Sequence, residues 1–345
     1  MEYFIMYYFQ NGISNTRMIY KNKFVISESK TIEGYNYYHA GTNLLDELQN
    51  KCLILSYNIR NLLFPDNDKF ELESYIMPLG ILNIGLNSEH KFNSSNVNNF
   101  INIMKNDLNC IYKNIDIFRY FYLYDLYNLL DTLQELFINI DISFTGFFKN
   151  LCQIDTFFKS SDGIYITSGI SQRYTYHMLN SFFISIHSSF DIITKLSFEL
   201  EKLKYDKNIN EKFKEYRLLK CNGIIFDKKG RNKIEHIRRD NTIFYLEEKE
   251  INIKIIESIR NDLVHNMVLS PFSYVYLYIK NKKIIEKFIL MPDFDKTTGR
   301  FCRYKNRNKF YSTEDKLNDK LPEIYIDVLH KLINTLSNIN DFILK

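Results

Sequence analysis

The sequence predicts a mainly α protein in two parts. An N-terminal α+β domain covers residues 1–160, and a helical domain carrying a β-hairpin insertion covers 161–345. Three observations carry the prediction. Leu179, Phe183, Ile186, Phe190, Ile193, Leu200 and Leu203 recur at three-, four- and seven-residue spacings, the period of an amphipathic helix. The first forty residues alternate apolar and polar around N-G-I-S-N, as a β-hairpin does. A polar break, S-S-D-G at 160–163, coincides with a change in charge and marks the domain boundary.

Taken in order, the hairpin gives way to a mainly helical pattern, with a long helix expected over 97–139. After the break comes a short strand-like I-Y-I-T-S-G. The periodic helix over 174–204 follows, about 45 Å long at 1.5 Å per residue, a length that belongs to bundles. A basic stretch, F-D-K-K-G-R-N-K-I-E-H-I-R-R-D-N, leads into a further helix. Its stripe is Ile256, Ile259, Leu263 and Met267, and it is expected to stop at Pro271. Next come the hairpin-like F-S-Y-V-Y-L-Y-I-K-N-K-K-I-I-E-K-F-I-L-M-P and a second basic loop, G-R-F-C-R-Y-K-N-R-N-K. An amphipathic helix from about Pro322 to Leu344 closes the chain.

A chain of 345 residues, 45% hydrophobic, buries a core without metal or disulfide support. Cys52, Cys110, Cys152, Cys221 and Cys302 are scattered, with no Cys-x-x-Cys spacing, so neither a zinc site nor a disulfide framework is expected. The expected compartment is a reducing cytoplasm. The N-terminus has no basic flank or small-residue cleavage site. Arg119, Asp125 and Asp131 interrupt the most apolar segment too often for a membrane span.

Charge is uneven: residues 1–160 sum to −4 and residues 161–345 to +8. The second half is therefore the one that attracts polyanions. Aromatic richness carries no weight for base stacking, because abundant Asn, Ile, Lys, Tyr and Phe with no Trp and few Gly or Pro is what an AT-rich genome imposes. No P-loop, nucleophile elbow or dinucleotide fingerprint is present, and no cofactor is implied.

The chemistry concentrates in I-R-N-D-L-V-H-N, residues 259–266. Arg260 lies at the edge of the stripe, and His265 is five residues on, about 140° around the helix at 100° per residue. A long arginine spans that angle. Asn261 and His265, at i and i+4, share a face, so the amide is expected to orient the imidazole. A guanidinium matches phosphate oxygens two at a time, and histidine exchanges a proton near neutral pH. Together they suit metal-free RNA cleavage by a 2′-hydroxyl: His265 moves the proton and Arg260 stabilises the charge growing on phosphorus oxygens. No carboxylate cluster of the two-metal kind is present, so no metal ligand is assigned.

The spacing alone decides little, since 12 Arg and 7 His give about 0.2 chance matches to Arg-x-x-x-x-His in this length. A second copy, Arg231 to His236, reads as loop. For His265 the bland alternative is a satisfied helix histidine.

The motif and its setting, late in a helical domain that opens with a long helix bearing H-S-S-F-D, resemble the HEPN superfamily (higher eukaryotes and prokaryotes nucleotide-binding). The resemblance covers roughly residues 170–345. It matches the family motif of Arg, a polar residue and then His at Arg260, Asn261 and His265, and implies a HEPN-like helical bundle. It further implies a metal-independent endoribonuclease in phage defence, abortive infection or toxin–antitoxin systems. The implied partners are RNA, a second copy of the chain completing a composite site, and an antitoxin or regulatory protein. Met267 stands where some members carry an aromatic. Members that have lost catalysis supply the rival reading, a silent RNA-, nucleotide- or protein-binding module. A purely structural helical adaptor is a second rival.

His187 and Asp191, at i and i+4, are candidate auxiliary residues facing the motif; a helix-surface or buried polar pair is the plainer reading. Lys228, Lys229, Arg231, Lys233, Arg238 and Arg239 form the densest basic cluster and are assigned to the RNA backbone. A solvated loop is the alternative there too. Arg300, Arg303, Arg307 and Lys309 repeat the argument.

Overall fold

A computed structural model of the chain describes residues 16–21, 25–31, 34–65, 114–153, 161–205, 234–239, 243, 250–305, 307 and 310–345. These are mainly helical. Strands β1 (Thr16–Lys21), β2 (Val25–Thr31) and β3 (Gly34–Tyr38) form an antiparallel sheet in that order. Helices α1 (Thr42–Leu63) and α2 (Asn114–Gln153) follow. Strand β4 (Gly163–Thr167) precedes α3 (Ile170–Tyr205) and the one-turn α4 (His236–Arg239). The motif helix is α5 (Ile251–His265). Strands β5 (Val275–Lys280), β6 (Lys283–Phe288), β7 (Leu290–Pro292) and β8 (Tyr311–Lys316) lead to α6 (Leu317–Leu344). No helix among the described residues is long and apolar enough to cross a membrane.

Several boundaries differ from expectation. The early long helix, described over Asn114–Gln153, does not stop at 139, because Ile140, Phe144, Phe147, Phe148 and Leu151 extend the buried stripe past that residue. Residues 97–113 and the N-G-I-S-N turn lie outside the described residues. The second alternating stretch is itself two paired strands, with Lys21 opposite Val25. The last helix begins at Leu317, five residues before Pro322. Pro322 is therefore inside the helix, in its second turn, where it has no N–H to give to the Asn318 carbonyl. The strand-like segment at 164–169 does form β4, and it pairs antiparallel with β5, Ile166 opposite Tyr276. The β5–β6 hairpin turns at Asn281 and Lys282, both at positive φ (52° and 59°), as a twist-matched two-residue turn requires.

The residues gather into two compact units, each drawing on both halves of the chain. One comprises residues 1–46, 137–187 and 248–331; the other comprises 47–136, 188–247 and 332–345. The break at 160–163 falls inside the first.

In the first unit the core is aromatic. Phe144 stacks on Tyr325 at 4.1 Å between ring centroids and meets Phe148 edge-on at 5.1 Å. Phe182 lies 5.9 Å from Tyr325. His39, whose side chain is 0% exposed, caps this cluster. Its Nδ1 accepts the Gly41 N–H at 3.0 Å, so Nε2 carries the proton and donates to Asp141 Oδ1 at 2.6 Å. Tyr325 donates to the same oxygen at 3.3 Å. Burial, and then the Asp141 charge, push its phenol well above the ordinary tyrosine range. Phe144→Ala, at a site 0% exposed, is expected to cost about 3–5 kcal/mol in urea unfolding.

In the second unit Leu48, Cys52, Leu55 and Ile59 on α1, Leu126, Leu130 and Leu133 on α2, and Phe190, Ile193 and Leu200 on α3 are buried at helical spacing. A buried Asn58–Asn340 bond of 2.9 Å and a Tyr122–Glu199 bond of 3.0 Å satisfy polar groups within it. Glu201 accepts the backbone N–H groups of Glu235 and Ile237, tying the start of α4 to α3. Burial pushes the Cys52 thiol up to about 12, so it is inert as a nucleophile.

Candidate functional site

Helix α5 owes its existence to its isoleucines. Ile253, Ile255, Ile256 and Ile259 are 8% exposed or less and form the buried arc. The arc continues through Asp262 and not through Met267: Asp262 is 6% exposed, Leu263 is half-buried, and Met267 is 46% exposed beyond the helix end. The expected stripe was thus right at Ile256 and Ile259 and wrong at its last position.

The helix also ends at His265, well short of Pro271. Asn266 N–H and Met267 N–H both bond to the Asp262 carbonyl, at 2.9 and 3.0 Å, and Asn266 Nδ2 donates to Asp262 Oδ1 at 3.0 Å. This knot closes the last turn and turns the chain away. Tyr311 then holds the departing chain by donating to the Leu269 carbonyl at 2.5 Å, and Tyr176 does so by donating to the Tyr274 carbonyl at 2.8 Å. Burial, followed by the Asp262 charge, raises the Tyr311 phenol. His265 is consequently the last helical residue, exposed at a free end.

The three motif side chains sit on the water-facing side of α5: Asn261 and His265 are exposed and Arg260 is half-buried. Arg260 Nη1 donates to Asn261 Oδ1 at 3.1 Å. That bond draws the guanidinium around the helix toward the Asn261–His265 face, the reach the sequence required of it. The expected Asn261–His265 bond is not formed. The amide oxygen is taken by Arg260, and His265 makes no side-chain hydrogen bond to any described residue. The physical reason is proximity: a guanidinium one residue away reaches the acceptor before an imidazole at the fraying last turn. Asn261 therefore orients the arginine and not the histidine.

The remaining assignments fall differently. His187 is 5% exposed and packed inside its unit, and Asp191 is half-buried on α3. The side chains of Arg260, Asn261 and His265 make no hydrogen bond or ion pair with any described residue other than the Arg260–Asn261 bond itself, so no such bond links them to His187. Lys228, Lys229, Arg231 and Lys233 lie outside the described residues, as do the side chains of Arg238 and Arg239 and the whole of Lys309. His236, the end of the second Arg-x-x-x-x-His copy, opens the short α4 and stacks on Tyr205 at 4.1 Å.

Two contributors were missed by sequence reasoning. Asp262 sits seven residues after Ile255 and three after Ile259, so the helical period alone places it in the buried arc. Ser258 donates from Oγ to the Gly299 carbonyl at 3.1 Å, joining the second basic loop to α5; nothing local in the sequence signals that contact. No family model, curated protein or solved structure matches the chain.

Proposed function

We propose that this chain is a metal-independent endoribonuclease of the HEPN kind, acting in phage defence, abortive infection or a toxin–antitoxin pair. The observation that carries the reading is the 3.1 Å Arg260–Asn261 bond on the exposed face of α5, one turn before an exposed His265. A guanidinium held by one acceptor keeps its other N–H donors for two phosphate oxygens. The imidazole at the open helix end is free to take a proton. In the reaction the substrate's 2′-oxygen bonds to phosphorus while His265 removes its proton. The bond from phosphorus to the 5′-oxygen breaks, and that oxygen takes up a proton. The products are a 2′,3′-cyclic phosphate and a 5′-hydroxyl. Arg260 stabilises the added negative charge on the phosphorane oxygens.

The composite site is part of the proposal: a second copy brings its own motif helix alongside, and its His265 protonates the leaving oxygen. Val264, Met267, Val268 and Phe272, each 46% exposed or more, succeed one another where α5 ends and support such a contact. Val264→Asp with Met267→Asp is expected to shift the protein to monomer in light scattering and to lower cleavage with it. An antitoxin or regulatory partner would silence the site from the same side. The six basic residues between 228 and 239 are proposed to hold the RNA backbone.

The test is incubation of purified protein with RNA in excess EDTA, with end-group analysis of the products. Cleavage that survives EDTA and leaves cyclic phosphate ends supports the enzyme. RNA binding without cleavage gives the silent module instead, and neither binding nor cleavage gives the adaptor. Asn261→Ala is expected to lower cleavage about tenfold by freeing the guanidinium, with an unchanged melting temperature, since its one bond is exposed.

A further inference from the structure

The structure joins the second basic loop to the motif helix along the face that carries the motif. Ile251, Lys254, Ser258, Asn261 and His265 follow one another at spacings of three and four, so they share one side of α5. Gly299 lies against this side. Its φ is +63°, and a Cβ there would stand 2.7 Å from the Ile251 carbonyl oxygen and 2.8 Å from Lys254 Cβ. Ser258 Oγ donates to its carbonyl. From Ser258 the same face runs seven residues, about 10 Å, to His265.

Specific contacts hold the described residues on either side of this joint. Asp295 Oδ1 accepts four bonds, from the backbone N–H and hydroxyl of both Thr297 and Thr298. These bonds hold its carboxyl at about 2, below the ordinary value of 3.8. Since the folded-state value is depressed, the turn keeps its full strength above about pH 4 and loses it only as pH falls toward 2. Phe294 and Phe301 stack at 4.8 Å, and Tyr304 pairs with Arg307 through two backbone bonds of 2.9 and 3.1 Å.

The arm presents Arg300, Arg303, Lys305 and Arg307, all exposed, and none makes an ion pair among the described residues. Among them stands Tyr304, 66% exposed, with Lys305 Nζ 5.6 Å from its ring centroid. Arg307 lies over the Phe310 ring, 5.4 Å from its centroid, so it too is held in place. Exposed cations without ion-pair partners, close in sequence to an exposed aromatic ring, suit a phosphate chain with an unstacked base. A duplex offers the phosphates but keeps its base faces covered.

We propose that this arm is a single-strand RNA platform, with a base stacked on Tyr304 and flanking phosphates on Arg303, Lys305 and Arg307, feeding the strand along α5 toward His265. The proposal rests on the ribonuclease reading for its choice of RNA, but its test does not depend on cleavage.

Binding is measured by fluorescence anisotropy in full-length His265→Ala protein, with a labelled single-stranded 12-nucleotide RNA and a duplex of the same length. Tyr304→Ala is expected to weaken single-strand binding about tenfold and duplex binding by less than about twofold, with Tyr304→Phe restoring the former. Arg303→Ala with Arg307→Ala is expected to weaken single-strand binding at least about tenfold. It should also flatten the log–log salt dependence by about 1.4, which a merely structural role would not do. Single-strand affinity within twofold of the parent in both variants, or equal losses for strand and duplex in Tyr304→Ala, overturns the platform. If the arm binds as described while wild-type protein leaves RNA intact in EDTA, the platform stands and the nuclease reading falls.

Discussion

His265→Ala is expected to lower EDTA-resistant RNA cleavage by about 10²–10⁴-fold, the usual worth of a positioned proton carrier, with no measurable change in unfolding midpoint. The second half of that expectation comes from the structure. His265 is exposed, ends its helix and makes no side-chain hydrogen bond to a described residue, so its removal leaves no cavity and no orphaned partner. Arg260→Ala is expected to lose about 10²–10³-fold, as when one donor to a developing oxyanion is deleted. Arg260→Lys should rescue little. An ammonium on a flexible stem can keep the Asn261 bond or reach the phosphate, but it lacks the planar fork that does both. Single-turnover rates on a defined RNA, with end-group analysis, read all three variants. Parent-like cleavage in both alanine variants would mean that the site lies elsewhere in the chain.

The second large effect is structural. Gly299→Ala is expected to destabilise the first unit by about 2–4 kcal/mol, because two costs coincide there. The residue needs a left-handed backbone, and a Cβ would press on the backbone of α5 at 2.7 Å, where no flexible side chain can swing aside. Gly169→Ala is the control. Its Cβ would meet only Gln172 Oε1 at 3.0 Å, the end of a movable side chain, and its cost is expected to stay within about 1 kcal/mol. Urea unfolding measures both, and proteolysis within residues 296–305 should speed up in the first variant only. Equal stabilities would remove the joint between arm and helix.

The site was legible in part. Spacing alone put Asn261 and His265 on one face and Arg260 at the edge of the apolar stripe, about 140° from His265, because residues within two turns are related by the helix itself. Which atom Asn261 engages could not be read that way. The choice between a guanidinium one residue away and an imidazole four away depends on where the helix stops. It stops at His265 because Asp262 ties down Asn266 and Met267. Proline271 was the visible stop signal, but a capping network inside the chain acted first.

The same division runs through the whole protein. Periodicity along consecutive residues determined the helix over Ile170–Tyr205, the core stripe of α5 at Ile256 and Ile259, and the hairpin closed by Asn281 and Lys282. Only the tertiary structure decided that β4 joins that hairpin from more than a hundred residues away, that Asp262 is buried, and that Gly299 locks onto α5. The reason is physical: a helix or a tight turn is selected by side chains a few bonds apart, whereas strand partners, buried acids and close backbone approaches are set by atoms that meet only after the chain has folded.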